Sequence, residues 1–196
     1  MPSILVIFNP VAGRGRVKKH WPKLQQGLID AGIEFDVVAT SAPLDAVRLA
    51  EKATTKYSTV IAVGGDGTVH EVVNGLLRAS NEGETIALGV VPLGNGDDFA
   101  KMIPPKTLIG GKVFDWRVAV DKIIQEQTKL FDVGRMSDYL LRSEQNNNPQ
   151  YFMNGMDIGF GAQAALNFTK VPSFLTGMAA YLVAVSYTHL TLPTKA

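Results

Sequence analysis

Three short stretches of the chain combine glycine with residues that handle phosphate or metal. The first is Val63-Gly64-Gly65-Asp66-Gly67-Thr68, at the end of the apolar run Thr59–Val63. Glycines there let main-chain N–H groups approach an anion with no Cβ in the way, and a following helix turns its positive end to it. Asp66 is a poor direct partner for phosphate, because both are negative. Its carboxylate suits a Mg²⁺, a water or a donor hydroxyl. Thr68 can cap the helix or donate to phosphate. The plainer alternative is a tight strand-to-helix turn with Asp66 as the N-cap. The second stretch, Asn9-Pro10-Val11-Ala12-Gly13-Arg14-Gly15-Arg16, carries two arginines of the type that neutralises phosphate or stays solvated. The third is Pro92-Leu93-Gly94-Asn95-Gly96-Asp97-Asp98-Phe99-Ala100.

Each stretch follows a run that reads as a buried strand: Ser3–Phe8, Thr59–Val63 and Ile86–Val91. Glu34–Ala39 is a further strand. Between them lie helical patterns. Val17–Ala31 has Trp21, Leu24 and Leu28 at helical spacing and closes at Gly32, while Pro22 places its first turn near Trp21. Pro43–Lys56 is a second helix, and Thr68–Ala79 a third with Val69, Val72, Val73 and Leu76 on one face. Asp97–Met102 is short, and Trp116–Glu126 is helical again. Such alternation predicts an α/β fold of three layers, a mainly parallel sheet with helices on both faces. All three glycine stretches then fall at the carboxyl edge of the sheet, where open α/β sheets bind ligands. Together they describe a nucleotide-phosphate cleft. A Gly-x-x-x-x-Gly-Lys-Ser/Thr loop is absent, and strand one lacks Gly-x-Gly-x-x-Gly with its acidic partner, which argues against P-loop enzymes and Rossmann dehydrogenases.

The pattern changes near Thr128. Lys129–Arg135, Tyr139–Arg142 and Tyr151–Gly159 read as strands of an antiparallel meander, with the polar run Ser143–Gln150 as a loop. Residues 1–127 are therefore expected to form an α/β domain and 128–185 the opening, incomplete part of a β-rich domain. Lys plus Arg number 19 and Asp plus Glu 18, too even a balance for an electrostatic grip on nucleic acid. With no cysteine, disulfides, thiolate zinc sites and cysteine nucleophiles are excluded. The longest apolar stretch, Phe174–Val185, falls short of the roughly 20 residues of a membrane span. The expectation is a cytoplasmic protein whose membrane contact is peripheral.

Asn9-Pro-Val-Ala-Gly13, Gly64-Gly-Asp-Gly-Thr-Val-His-Glu-Val-Val-Asn-Gly75 and Pro92-Leu-Gly-Asn-Gly-Asp-Asp-Phe-Ala100 resemble the diacylglycerol kinase catalytic domain, a family of bacterial lipid kinases related to sphingosine and ceramide kinases. Lys129–Gly134 and Tyr151–Gly161 resemble the start of that family's second domain. The fold implied is that of NAD kinase and diacylglycerol kinase, and the activity is ATP-dependent phosphorylation of a lipid hydroxyl such as that of diacylglycerol. The resemblance assigns ATP to Asn9, Gly13, Gly64, Gly65, Asp66, Gly67, Thr68, Gly94, Asn95 and Gly96. It gives Asp66 the catalytic role, and a water-bridged Mg²⁺ to Asp66, Asp98 and Asp132. Partners implied are ATP, a lipid substrate, a peripheral membrane surface and a second copy in a homodimer. The rival readings are an NAD kinase-like enzyme, since NAD kinases share Gly-Gly-Asp-Gly, and a nucleotide- or lipid-binding module without catalysis.

Two departures bear on this. In the third loop Asp97 stands where the family usually has Asn, which removes a donor and adds charge near phosphate, altering metal use or leaving the side chain to face outward. The Asp-Gly-Glu-like segment that carries the family's general base has no counterpart. His70 and Glu71 are not expected to replace it: His70 suits the helix surface and Glu71 a local pairing. Val185–Leu190 also resembles the translation of a sequencing adapter, so residues 186–196 are expected to be a non-native tail and the chain an inactive, truncated fragment.

Overall fold

Strands apolar at nearly every position must be covered on both sides, and two of them, β1 (Ile4–Phe8) and β3 (Thr59–Gly64), lie at the centre of a four-stranded sheet. The computed structural model describes residues 3–80, 85–103, 116–126, 128–136 and 149–155, with 166–167, 171, 182–183 and 185–186 beyond them. The chain divides into two compact units, Met1–Asn154 and Gly155–Ala196. In the first, β2 (Phe35–Ala39) and β4 (Ala87–Pro92) complete the sheet in the order β2-β1-β3-β4, all parallel. Ile7 sits between Val38 and Ala62 in register.

Alternate residues of each strand go to opposite faces, and the cores divide accordingly. Leu5, Ile7, Val60 and Ala62 pack with Ala46 and Ala50 of α2 (Asp45–Ala53) and Val69, Val72, Val73 and Leu76 of α3 (Asp66–Ala79). Val6, Ile61, Val63 and Val91 pack with Val17, Leu24 and Leu28 of α1 (Ala12–Asp30) and Ala119 and Val120 of α5 (Trp116–Ile124). The three layers expected from the sequence are those found. Helix α4 (Asp98–Met102) follows the loop after β4.

Helix α1 corrects one expectation. It opens at Ala12, bends through Gly13, Arg14 and Gly15 at positive φ, and carries Pro22 in its interior rather than in its first turn. Burial of Val17, Leu24 and Leu28, and the stacking of Trp21 on Phe8 with ring centroids 4.3 Å apart, outweigh the one hydrogen bond that proline removes. Pro22 and Lys18 are both exposed, on the side of α1 away from that packing. The far end behaves as read. Gly32 at φ +73° donates to Ile29 O at 2.9 Å and Ile33 N to Leu28 O at 3.1 Å, the paired bonds of a Schellman cap.

Past α5 the strands are shorter than expected. β5 (Gly134–Met136) pairs antiparallel with β6 (Gln150–Phe152), but Lys129–Val133 is irregular, with Leu130 97% exposed and no neighbouring strand among the described residues to pair it. The strand expected at Tyr139–Arg142, and the end of the one expected at Tyr151–Gly159, lie outside the described residues. Among the described residues no helix is long and apolar enough to cross a membrane.

Helices α2 and α3 lie close because Gly75 has no side chain: a Cβ there would fall 2.7 Å from the Ala50 Cβ and closer still to the Val47 carbonyl. The entry to α2 is fixed by Asp45, whose carboxylate accepts from Ser41 N at 2.8 Å, Ser41 Oγ at 2.5 Å and Ala42 N at 2.9 Å, and pairs with Arg48. The Ser41 hydroxyl and N–H, with Arg48 and the Ala42 N–H, hold this carboxyl well below the usual carboxylate range against the opposing effect of burial. A group depressed in the folded state stabilises above its unfolded pKa, about 3.9, and that contribution fades as pH falls through the folded value. Asp45→Asn should therefore melt below the parent at pH 7. In melts followed by circular dichroism the gap should narrow steadily below about pH 4.

Candidate functional site

From β1 the chain crosses to β2 on one side, and from β3 to β4 on the other, so the connections diverge between the carboxyl ends of β1 and β3. A crevice opens at such a switch point. Asn9 N donates to Val63 O at 3.0 Å and Leu93 N to Gly64 O at 2.8 Å, carrying the ladder past the strands and starting the three glycine loops side by side.

Absence of side chains lets the loops touch. A Cβ on Gly65 would lie 2.9 Å from Gly94 Cα, one on Gly94 would overlap Gly65 Cα, and one on Gly13 would overlap the Leu93 carbonyl oxygen. Gly64 is closed off by Thr68, while Gly67 has open space around it. Side chains complete the bracing. Asn9 Nδ2 donates to Thr68 Oγ1 at 3.1 Å, and Asn9 Oδ1 accepts from Val11 N at 3.2 Å. Arg16 donates to the Gly94 carbonyl, to Asn95 Oδ1 at 3.0 Å and to the Gly13 carbonyl at 3.2 Å. Its guanidinium thus ties the loop after β1 to the loop after β4. Arg14 stands exposed at the bend of α1.

Helix α3 begins at Asp66, two residues before the expected start, with Gly65 as its extended N-cap and no side chain capping it. That removes the reading of Asp66 as N-cap. The first intrahelical bond is Val69 N to Gly65 O, so the N–H groups of Asp66, Gly67 and Thr68 belong to the unsatisfied first turn that suits an anion. Oδ1 of Asp66 accepts from Phe99 N at 3.0 Å and Asn154 Nδ2 at 3.3 Å. Oδ2 faces the third loop: a Cβ on Gly96 would lie 3.0 Å from it and 3.4 Å from Asp98 Oδ2.

Asp97 does not face outward. Its backbone is left-handed at φ +55°, and Oδ1 accepts from Gly94 N at 2.8 Å. Burial, helped by the nearby Asp66 charge, raises its carboxyl to about 6 against the pull of the Gly94 N–H, Arg16 and Lys101. Asp98 is exposed and paired with Lys101 at 2.6 Å. Asp132 is exposed beside Phe131, whose ring meets Phe99 edge-on at 5.5 Å. Among the described residues no three acidic or histidine side chains gather closely enough to grip a metal directly. Asp66 and Asp98, whose Oδ2 atoms both come near the position of a Cβ on Gly96, fit a hard cation that keeps most of its waters.

The structure brings the ten residues expected from the sequence to bind a nucleotide together at the carboxyl edge of the sheet. Two residues without a local sequence signal stand near it: Asn154 bonds Asp66, and Asn74 lies further along α3. Asn74 is 1% exposed on the apolar side of α3; its Nδ2 donates to Tyr151 O and its Oδ1 accepts from Tyr151 N, both at 2.9 Å. The one available sign was a buried-side asparagine among valines. Glu71 accepts from Ala46 N of α2 at 3.2 Å, a bond to the neighbouring helix and not the local pairing expected, and His70 is exposed.

The model of the diacylglycerol kinase catalytic domain matches residues 3–136. A diacylglycerol kinase of Bacillus subtilis (strain 168) is 32% identical over 201 residues, covering 100% of this chain and 58% of that protein. One from Staphylococcus haemolyticus (strain JCSC1435) is 33% identical over 172 residues, covering 87% of this chain and 44% of its own length. The crystal structure of a diacylglycerol kinase from Bacillus anthracis str. Sterne matches with a TM-score of 0.60 at 25% identity, over 84% of this chain and 50% of that one. The chain thus spans about half the length of the curated relatives it matches.

The packing of glycine on glycine gives a direct prediction. Gly94→Ala should lower the unfolding free energy by about 1–3 kcal/mol, because the backbone of the loop after β3 must shift. Gly67→Ala, whose Cβ meets nothing within 4 Å, should change it by less than about 1 kcal/mol. Denaturant titrations of the two variants check both.

Proposed function

The chain belongs to the diacylglycerol kinase catalytic domain family, and from that premise we propose that the protein transfers the γ-phosphate of ATP to the hydroxyl of a lipid, diacylglycerol or a related lipid alcohol. One observation carries this reading: the uncapped first turn of α3 opens at the switch point, with two further glycine loops braced against it. Phosphoryl transfer asks a protein chiefly for positioning and for neutralisation of spread negative charge. Amides of Asp66, Gly67 and Thr68 offer donors fixed before the ligand arrives. The Thr68 hydroxyl accepts from Asn9 and so keeps its own hydrogen for a phosphate oxygen. Gly94, Asn95 and Gly96 form the opposite lip, held by Arg16 and Asp97.

Asp66 and Asp98, joined by Asp132, would hold a Mg²⁺ through water, and the bound metal supplies charge neutralisation at the phosphates. What the chain does itself is orient Asp66: two donors fix one oxygen and leave the other toward the loop. Glu71, already bonded to Ala46 N, is not given the role of base. Because the chain spans about half of its relatives, transfer is proposed for the full-length protein, acting peripherally at the membrane that holds its substrate and working as a homodimer.

The test offers γ-labelled ATP to the full-length protein with diacylglycerol and NAD side by side. Label in the lipid is expected; label in NAD alone would assign an NAD kinase-like activity instead. Asp66→Ala should lower transfer by at least about 100-fold while gel filtration and circular dichroism stay unchanged. Undiminished turnover would remove Asp66 from the mechanism.

A further inference from the structure

Residues 149–154 lie along α3 in the direction opposite to the helix. Arg78 Nε donates to Pro149 O at 3.4 Å, Asn74 exchanges both bonds with the Tyr151 main chain, and Asn154 reaches Asp66. The lengths agree. From Arg78 back to Asp66 the helix rises about 18 Å at about 1.5 Å per residue. The segment from Pro149 to Asn154, if extended, covers about 17 Å at about 3.4 Å per residue. Asn74 is the fixed point of this pairing. Its buried amide offers Tyr151 one donor and one acceptor, as a neighbouring strand would, and the same Nδ2 also donates to His70 O at 2.9 Å. A slip of one residue would oppose this pair with the wrong groups and carry Asn154 away from Asp66.

The carboxylate at the far end needs such control. Asp66 is the first residue of α3, where a side chain can rotate toward solvent, toward the helix amides or toward the third loop. Oδ1 takes donors from two different elements, Phe99 N of α4 and Nδ2 of Asn154. Either one alone would let the carboxylate swing about a single bond.

We infer that Asn74 and Asn154 are positioning residues for the phosphate site: Asn74 sets the register of residues 149–154 on α3, and that register delivers the Asn154 amide to one oxygen of Asp66, leaving the other to face the Gly94–Gly96 loop. The coupling runs along the strand segment. Asn74 touches neither Asp66 nor the glycine loops through any bond described above, yet it determines what reaches them. The ligand consequences rest on the reading of those loops as a nucleotide-phosphate site; the coupling itself does not.

Amide hydrogen exchange on the ligand-free 196-residue chain, followed by NMR, tests the coupling. Asn154→Ala should speed exchange at Phe99 by about five- to tenfold and leave Tyr151 unchanged. Asn74→Ala should speed both. Asn74→Asp, which keeps the acceptor for Tyr151 N and loses the donor to Tyr151 O, serves if the alanine variant fails to fold, and it should speed Phe99. If Asn74 variants speed Tyr151 alone, Asn74 is only a clamp for β6 and the inference fails. It fails equally if Asn154→Ala leaves Phe99 unchanged. A second arm measures ADP affinity with and without Mg²⁺ by calorimetry. Asn154→Ala should lose about tenfold of the Mg²⁺-dependent gain and keep the metal-free affinity; an unaltered gain would overturn the role at the metal. No ADP binding by the parent chain would overturn the nucleotide reading of the loops, and the exchange pattern would then decide the coupling on its own.

Discussion

Gly65 and Gly94 meet main chain to main chain where the loops after β3 and β4 leave the sheet, and neither has room for a methyl group. Much of the site's geometry follows from that contact. It draws the third loop over the start of α3, so that Gly96 lies against both Asp66 and Asp98. It places the Gly94 carbonyl within reach of Arg16 and its N–H within reach of Asp97. Gly13, fitted against Leu93, brings in the loop after β1 in the same way. Three loops from three parallel strands thus form one braced edge, set by the sheet order beneath them.

A braced edge has a chemical use. Phosphate oxygens are held best by donors that are already in place, because the cost of arranging them is then met during folding and not at binding. The first turn of α3 provides such donors, and Asn9, Thr68 and Arg16 limit the ways the surrounding loops can yield. Asp97 adds a half-buried carboxyl whose hydrogen bond from Gly94 N stiffens the third loop. Tethering of residues 149–154 along α3 extends the arrangement beyond the sheet and ends at Asp66.

Periodicity made the architecture legible. Val69, Val72, Val73 and Leu76 marked the buried face of α3, the apolar runs marked the central strands, and Gly32 marked the end of α1. The glycine clusters likewise marked the edge of the site. Their immediate role was less legible: several are glycine because loops press on one another, which no local pattern reveals. Pro22 was misplaced because a local rule about proline yielded to burial of its neighbours. Lys129–Val133 was read as strand from its composition, which is the same whether or not a partner strand lies alongside. Arg16, Asp97 and Asn74 act through long-range partners or unusual backbone. Asn74 pairs with a main chain 77 residues away, and only the assembled fold brings the two together.

The central claim is that the carboxyl ends of β1, β3 and β4 hold nucleotide phosphates at the first turn of α3. A crystal structure of the chain with Mg²⁺ and a non-hydrolysable ATP analogue tests it most directly. Phosphate oxygens are expected to bond the amides of Asp66, Gly67 and Thr68, with the Gly94–Gly96 loop on the other side. Phosphates bound away from the switch point, with those three amides facing solvent, would contradict it.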